Sequence, residues 1–227
     1  MKMRIWILAM MTGTVALFAQ EHEKPGLDAR AIAYTRTLNE RVAKISASLD
    51  LADAARSNRV HGIIVQQYRD LNAIHETRDA QIKLAKEKAG ADKAAVNTAI
   101  EAARGEAKPK LDKLHGEFLT KLSAELSPGQ VDKVKDGMSY GVVPLTYGVY
   151  LKMYPDLKAD EKKQIMTFLV EARELAMDGS TAEEKHAVFG KYKGKINNYL
   201  SKAGYDAKKG EQNLKRPAPP ASENKPK

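Results

Sequence analysis

Apolar residues recur along this chain every three or four positions with polar residues between them, the period of an α-helix with one buried face. A first helix is predicted over Asp28–Ser46, turning Ile32, Leu38, Val42 and Ile45 toward a core. A second runs from near Asp50 to about Lys88 on the stripe Val60, Ile64, Tyr68, Leu71, Ile74 and Ile82. Gly90 and Asp92 make a short stop and restart, and a third helix extends from Asp92 to Glu125. Its stripe is Val96, Ile100, Ala103, Leu111, Leu114, Phe118 and Leu122, and Pro109 inside it should kink or divide it. Between Glu76 and Glu117 the chain is mostly Ala, Lys, Glu and Asp, which favours helix and lets two helices approach closely. An elongated antiparallel helical hairpin on a more compact base is expected. Sustained period-2 alternation and hairpin turns are missing from the sequence, so the expected class is all-α, a helical bundle.

Helix starts are legible from their capping chemistry. Leu126-Ser127-Pro128-Gly129-Gln130-Val131 combines a serine N-cap, proline at the first helical position, Gln130 for a capping box and a Leu126–Val131 staple. Leu49 to Asp53 and Leu157 to Glu161 are looser versions, and Ser180-Thr181-Ala182-Glu183 is another capping box. Helices are predicted over Ala159–Met177 and Thr181–Ala203. Between them and the hairpin, residues 139–156 contain Gly141, Pro144, Gly148 and Pro155, and predict a Tyr-rich irregular insert.

The two ends read differently. Residues 1–19 have a positive start at Lys2 and Arg4, an apolar stretch from Ile5 to Phe18 and a small residue at Ala19, the pattern of a signal peptide. The apolar stretch is short of the roughly 20 residues that span a bilayer. The expected address is periplasmic or secreted, with no stable membrane insertion after cleavage. Residues 20–207 should form a single helical domain, and the Pro-rich stretch 208–227 a disordered basic tail. Of the chain's net charge of +9, the tail accounts for +4 and the leader for +2, which leaves +3 on residues 20–207. The basic balance therefore does not describe a basic folded face, and no nucleic-acid partner is expected. With no cysteine, disulfide scaffolds, thiolate metal sites and cysteine nucleophiles are excluded.

Candidate chemistry gathers late in the chain. Seven of the nine tyrosines lie between positions 140 and 205. Tyr140, Tyr147, Tyr150 and Tyr154 offer apolar faces with polar tips, suited to stacking on a sugar or peptide and equally to packing a core. Arg173 falls inside the apolar arc of its helix and needs a partner, either an internal carboxylate or an anionic ligand such as a uronic acid. Lys191 and Asn197 add polar groups on the last helix. His75 and Arg78 share the face of Ile64, Leu71 and Ile82, where they would be buried polar groups. His75-Glu76-Thr77-Arg78-Asp79 has the start of a zinc-binding helix without its second histidine, so no metal is expected, and no cofactor motif occurs. No nucleophile elbow or dinucleotide fingerprint is present, and no catalytic residue is assigned.

Two stretches carry a resemblance. Ile64-Val65-Gln66-Gln67-Tyr68-Arg69-Asp70-Leu71-Asn72-Ala73-Ile74-His75 is one. The other begins Asp136-Gly137-Met138-Ser139-Tyr140-Gly141 and continues to Gly190-Lys191-Tyr192-Lys193-Gly194-Lys195-Ile196-Asn197-Asn198-Tyr199-Leu200. Together they resemble the secreted bacterial family catalogued as domain of unknown function 3826, over about Ala29–Tyr205. The resemblance implies one exported domain and a link to polysaccharide utilisation, and it brings no catalytic or binding residues. Leu126-Ser127-Pro128-Gly129-Gln130 is also similar to the Leu-Thr-x-x-Gln signature of Spy-type periplasmic chaperones. The expected function is a non-catalytic binding or accessory protein whose partner is an oligosaccharide or an exported protein. A chaperone cradle is the alternative, and a carbohydrate-processing enzyme a third.

Overall fold

The computed structural model describes residues 27–90 and 92–215. The predicted signal peptide and the tail beyond position 215 lie outside them. Among the described residues there are eight helices and no strands: α1 (Leu27–Ala47), α2 (Ala54–Ala89), α3 (Lys93–Glu125), α4 (Pro128–Met138), α5 (Val142–Met153), α6 (Ala159–Ala176), α7 (Ala182–Lys202) and α8 (Ala207–Lys215). None of them is long and apolar enough to cross a membrane.

The chain divides into two units between Arg36 and Thr37. In the first, Ile32 is 70% exposed, contrary to the core position its spacing predicted. Periodicity identifies a face; it does not supply the neighbours that would cover it.

The second unit has two hydrophobic clusters. One joins Leu38, Val42 and Ile45 of α1 to Val60, Ile64 and Leu71 of α2, Phe118 and Leu122 of α3, and Val131, Val134 and Met138 of α4. The other joins Val143, Tyr150 and Tyr154 to Ile165, Leu169 and Ala172 of α6 and Phe189, Ile196 and Leu200 of α7. Helices α2 and α3 form the predicted antiparallel hairpin, with Arg59 opposite Glu125 and Gln81 opposite Glu106. Buried alanines Ala103 and Ala107 line the inner face of α3. Asp53 and Asp92 cap the two long helices by accepting from backbone N–H groups of the first turn. At α4, the Ser127 N–H donates to Gln130 Oε1, and Gln130 Nε2 reaches the Leu49 carbonyl at 2.9 Å, tying the cap to the end of α1.

Four expectations are corrected. Pro109 does not divide α3, because both Pro109 and Gly105, whose carbonyl loses its donor, are exposed and can be solvated. Residues 142–153 are a helix and not an irregular insert. Gly141 takes a left-handed φ of 64° to start it, Pro144 falls in its first turn, and Pro155 follows its end. The cap of α7 is Thr181, which accepts from Glu184 N, one residue later than the predicted box. Residues 208–215, assigned to a disordered tail, belong to α8. This helix docks because buried Gly210 lets Tyr154 lie against its backbone, and Asn213 Nδ2 donates to the Met153 carbonyl at 2.8 Å.

Candidate functional site

A groove of about 740 Å³ opens between α1 and α4. Thr37, Glu40, Arg41 and Lys44 of α1 with Ser48 just past its end line one side, and Lys133, Asp136, Gly137 and Tyr140 line the other. Gly137 sets the separation of the two helices. A β-carbon there would lie 2.7 Å from Ile45 Cγ1, so only glycine lets the backbone approach so closely.

Tyr140 stands at the head of this groove. Its φ of 61° is unusual for a residue with a side chain, and it immediately precedes left-handed Gly141. The paired left-handed residues turn the chain from α4 into α5 and leave Tyr140 40% exposed. His186 stacks near it, with ring centres 6.1 Å apart and planes 20° from parallel. The Arg41 guanidinium lies 5.7 Å from the Tyr140 ring and equally far from the Tyr68 ring. Lys185 Nζ approaches the same two rings at 5.9 and 6.0 Å. The groove therefore offers one aromatic surface with Arg41, Lys44 and Lys133 around it, set against Glu40 and Asp136.

Lys185 is almost wholly buried, and its ammonium donates to the Met138 carbonyl at 2.9 Å and the Met177 carbonyl at 3.1 Å. It thus satisfies carbonyls at the C-terminal ends of both α4 and α6. Burial, assisted by the charge of Arg41, lowers its pKa to about 8 against the opposing pull of Asp178 and Glu184.

Behind the groove runs a line of charged side chains. Arg173 donates to Asp136 at 2.9 Å and to Asp132 at 2.5 Å. Of the two partners the sequence leaves open for Arg173, the structure supplies the internal carboxylates. Glu174 accepts from Lys135 at 2.9 Å, and His115 lies between Glu174 at 3.6 Å and Asp178 at 2.7 Å. The hydrogen bonds to Asp178 and then Glu174 raise the His115 pKa to about 9, against the opposing effect of burial. For Glu174, burial alone would raise the pKa, but His115, Lys135 and Arg173 override it and hold the carboxyl down at about 2.

Of the four predicted tyrosines, three are brought together in a core and the fourth stands apart. Tyr147, Tyr150 and Tyr154, three and four residues apart, share the face of α5 that packs on the second cluster. There the Tyr150 hydroxyl donates to Asn197 Oδ1 at 2.8 Å, and Tyr154 meets Tyr205 edge-on at 5.3 Å. Tyr140 stays apart from them in the groove. His75, Arg78 and Lys191, by contrast, line one cavity of about 390 Å³ between α2, α3 and the α6–α7 connection.

The model of the family described as protein of unknown function (DUF3826) matches residues 35–217. The chain belongs to this family. The match takes in the groove, the charged line behind it and α8. No curated protein matches the chain.

Sequence reasoning missed Arg41, Lys133, His115, Asp178 and Lys185. A signal existed for two of them. His115 continues the apolar stripe Leu111, Phe118, Leu122, and Lys185 lies four residues before buried Phe189. Asp178 lies beyond the end of α6, where no period applies. Arg41 and Lys133 gain significance only because Gly137 brings their helices together.

Proposed function

We propose that this family member is an exported, non-catalytic binding protein whose α1–α4 groove takes an acidic oligosaccharide, in keeping with a role in polysaccharide utilisation. The observation that carries this is the exposed Tyr140 ring in a large groove edged by Arg41, Lys44 and Lys133. A tyrosine face suits the apolar C–H surface of a sugar ring, and an arginine fork suits the carboxylate of a uronic acid. Of the two acids in the groove wall, Glu40 and Asp136, the second is neutralised from behind by Arg173, and three cations stand against them. Catalytic chemistry finds less support, since Asp132, Asp136 and Glu174 beside the groove are committed to cations. A chaperone cradle finds less as well: in the second unit the large exposed aliphatic residues are Leu84 on α2, Leu145 and Val149 on α5, Leu175 on α6 and Leu214 on α8, so none of these helices carries more than two.

The test is calorimetric titration with oligogalacturonides and with neutral oligosaccharides of equal length. The acidic series should bind and the neutral series should not. Arg41→Ala should weaken binding about ten- to a hundredfold, the loss of a charge-assisted hydrogen bond of roughly 1.5–3 kcal/mol. Tyr140→Ala should weaken it too. Equal binding of both series, or binding indifferent to the two substitutions, rejects the groove as the site.

A further inference from the structure

The positive charge of the fold is gathered at its C-terminal end. Of the net charge of +9, residues 1–26 account for +1 and residues 216–227 for +2. Of the +6 left on residues 27–215, residues 190–215 carry +5, with seven lysines against Asp206 and Glu211. Lys191, Lys193, Lys195 and Lys202 stand on α7 and Lys208, Lys209 and Lys215 on α8, and all seven are exposed. The last three were assigned from sequence to a disordered tail, and with the docking of α8 the expectation that the fold has no basic face is corrected. On the hairpin, Lys83, Lys108 and Lys113 each meet an acid four residues on. None of the seven lysines forms an ion pair among the described residues; Lys195 instead lies over the Tyr192 ring at 4.2 Å. Asp206 caps α8, accepting from the backbone N–H groups of Lys208 and Lys209.

On α7 the spacing of Lys191, Lys195 and Lys202 puts them on one side, turned away from buried Phe189, Ile196 and Leu200. At a rise of about 1.5 Å per residue they stand roughly 6 and 10 Å apart along the axis. Ala187, Gly194, Asn198 and Ser201 share that side and are exposed, so it offers charge and no large apolar side chain. That composition selects among partners. A helix lying in a membrane surface buries an apolar face, and a protein interface needs aromatic or aliphatic anchors at its centre; this side of α7 presents neither. A small anion meeting one exposed lysine gains little in water. A long chain with a negative charge on each unit meets several lysines at once, and the contacts add within one molecule. Lysines, as point charges without the guanidinium fork, suit such a repeating charge better than one oriented carboxylate.

We propose that the lysines of α7 and α8 form a docking surface for a long acidic polysaccharide, separate from the Tyr140 groove. The choice of a saccharide as the polyanion rests on the reading of the protein as an exported binder of acidic glycans. The two surfaces share no residue, so each can be removed without the other. They are joined by α7, whose His186 stacks on Tyr140 and whose Lys191 lies five residues, about 7 Å of helix, further on. A polymer held in the groove by one unit therefore has the lysines within reach of its next ones.

The probes are polygalacturonate, its trisaccharide, a neutral galactan of equal length, vesicles containing phosphatidylglycerol, and duplex DNA, each titrated into the full chain by calorimetry. Polygalacturonate should bind, and about three lysine contacts should make its affinity fall roughly tenfold or more between about 50 and 200 mM salt. Lys191→Gln, Lys195→Gln and Lys202→Gln combined, all exposed and unpaired, should keep the wild-type melting temperature, weaken polygalacturonate about tenfold and flatten its salt dependence. The same variant should bind the trisaccharide as wild type does. Tyr140→Ala should lose the trisaccharide and retain salt-dependent binding of the polymer. The proposal is overturned if the lysine variant binds polygalacturonate as wild type does, or if the neutral galactan binds equally well. It is also overturned if vesicles or DNA bind through these lysines and polygalacturonate does not. Lysine-dependent binding of the polymer with no binding of the trisaccharide would reject the groove and uphold this surface.

Discussion

Replacing His115 with glutamine removes a titrating charge from the line behind the groove while keeping a donor for Asp178. The imidazole is held at about 9 by Asp178 first and Glu174 second, against an ordinary value of 6.5. A raised pKa means that the folded protein binds the proton more tightly. The resulting stability is fully present below pH 6.5 and is lost as pH rises through about 9. A displacement of that size sets a ceiling of about 3 kcal/mol. The His115 side chain is 22% exposed and its partners Glu174 and Asp178 are 29% and 16% exposed, so solvent screening reduces this to roughly 1–2 kcal/mol. In a chain of this size that is about 2–8 °C in melting temperature. The assay is urea unfolding of wild type and His115→Gln at half-unit steps from pH 6 to pH 10. The stability gap between the two should be widest near pH 6 and close by about pH 9.5. Lys185, whose burial lowers its pKa to about 8, gains stability as pH rises from 8 toward 10.5, the opposite sign, but does so in both proteins and cancels from the gap. A gap that is constant over this range would refute the assignment of His115 as a charged member of the network.

Two packing predictions are more direct. Leu122→Ala empties a fully buried site in the first cluster and should cost about 2–5 kcal/mol, read by chemical denaturation. One substitution, glycine to alanine, should act with opposite sign at two helical positions. At Gly116, exposed with nothing near its β-position, it should stabilise by about 0.5–1 kcal/mol. At Gly210 the new methyl would lie 2.8 Å from Tyr154 Cε1 and 2.9 Å from Cζ. The ring is buried and cannot yield cheaply, so α8 should loosen, seen as faster amide exchange over residues 207–215.

What could be read in the sequence was what local physics decides. The hairpin, the restart at Asp92 and the cap at Ser127 all follow from the helical period and capping chemistry. The errors arose where one local signal has two outcomes. Proline ends a helix from inside but opens one from its first turn, and Pro144 took the second course. The Pro-rich stretch from position 217 led to the whole tail being read as unfolded, although Gly210 and Asn213 already hold the means to dock a helix. The groove was not legible because it depends on Gly137 meeting Ile45, a contact between residues 92 positions apart. Tyr140 could be noticed as a tyrosine but not separated from Tyr147, Tyr150 and Tyr154 until their shared helical face was seen to be packed.

The position of the charged line also bears on why the second unit has two clusters and one arrangement. Neighbouring residues of α6 serve both sides: Ala176 belongs to the second cluster and Met177 to the first. Two apolar clusters meeting through alanine and methionine alone could slide, since dispersion is not directional. Arg173 fixes α6 to α4 through two separate carboxylates, and Lys185 fixes α7 to the ends of both. A shift of α6 by one turn would carry Arg173 away from Asp132 and Asp136 and leave a buried guanidinium unpaired, at a cost of several kcal/mol. The contribution of these charges is therefore to register more than to stability. Since Asp136 is also part of the groove wall, the contact that sets the helix register also sets the charge presented to a ligand. Arg173→Met should then be tolerated as a fold better than it is tolerated as a binding site, because methionine fills the space but leaves Asp136 negative beside Arg41 and Tyr140. Calorimetry on a variant whose melting temperature is within a few degrees of wild type would decide it, and unaltered binding would show that Asp136 is not part of the charge the ligand meets.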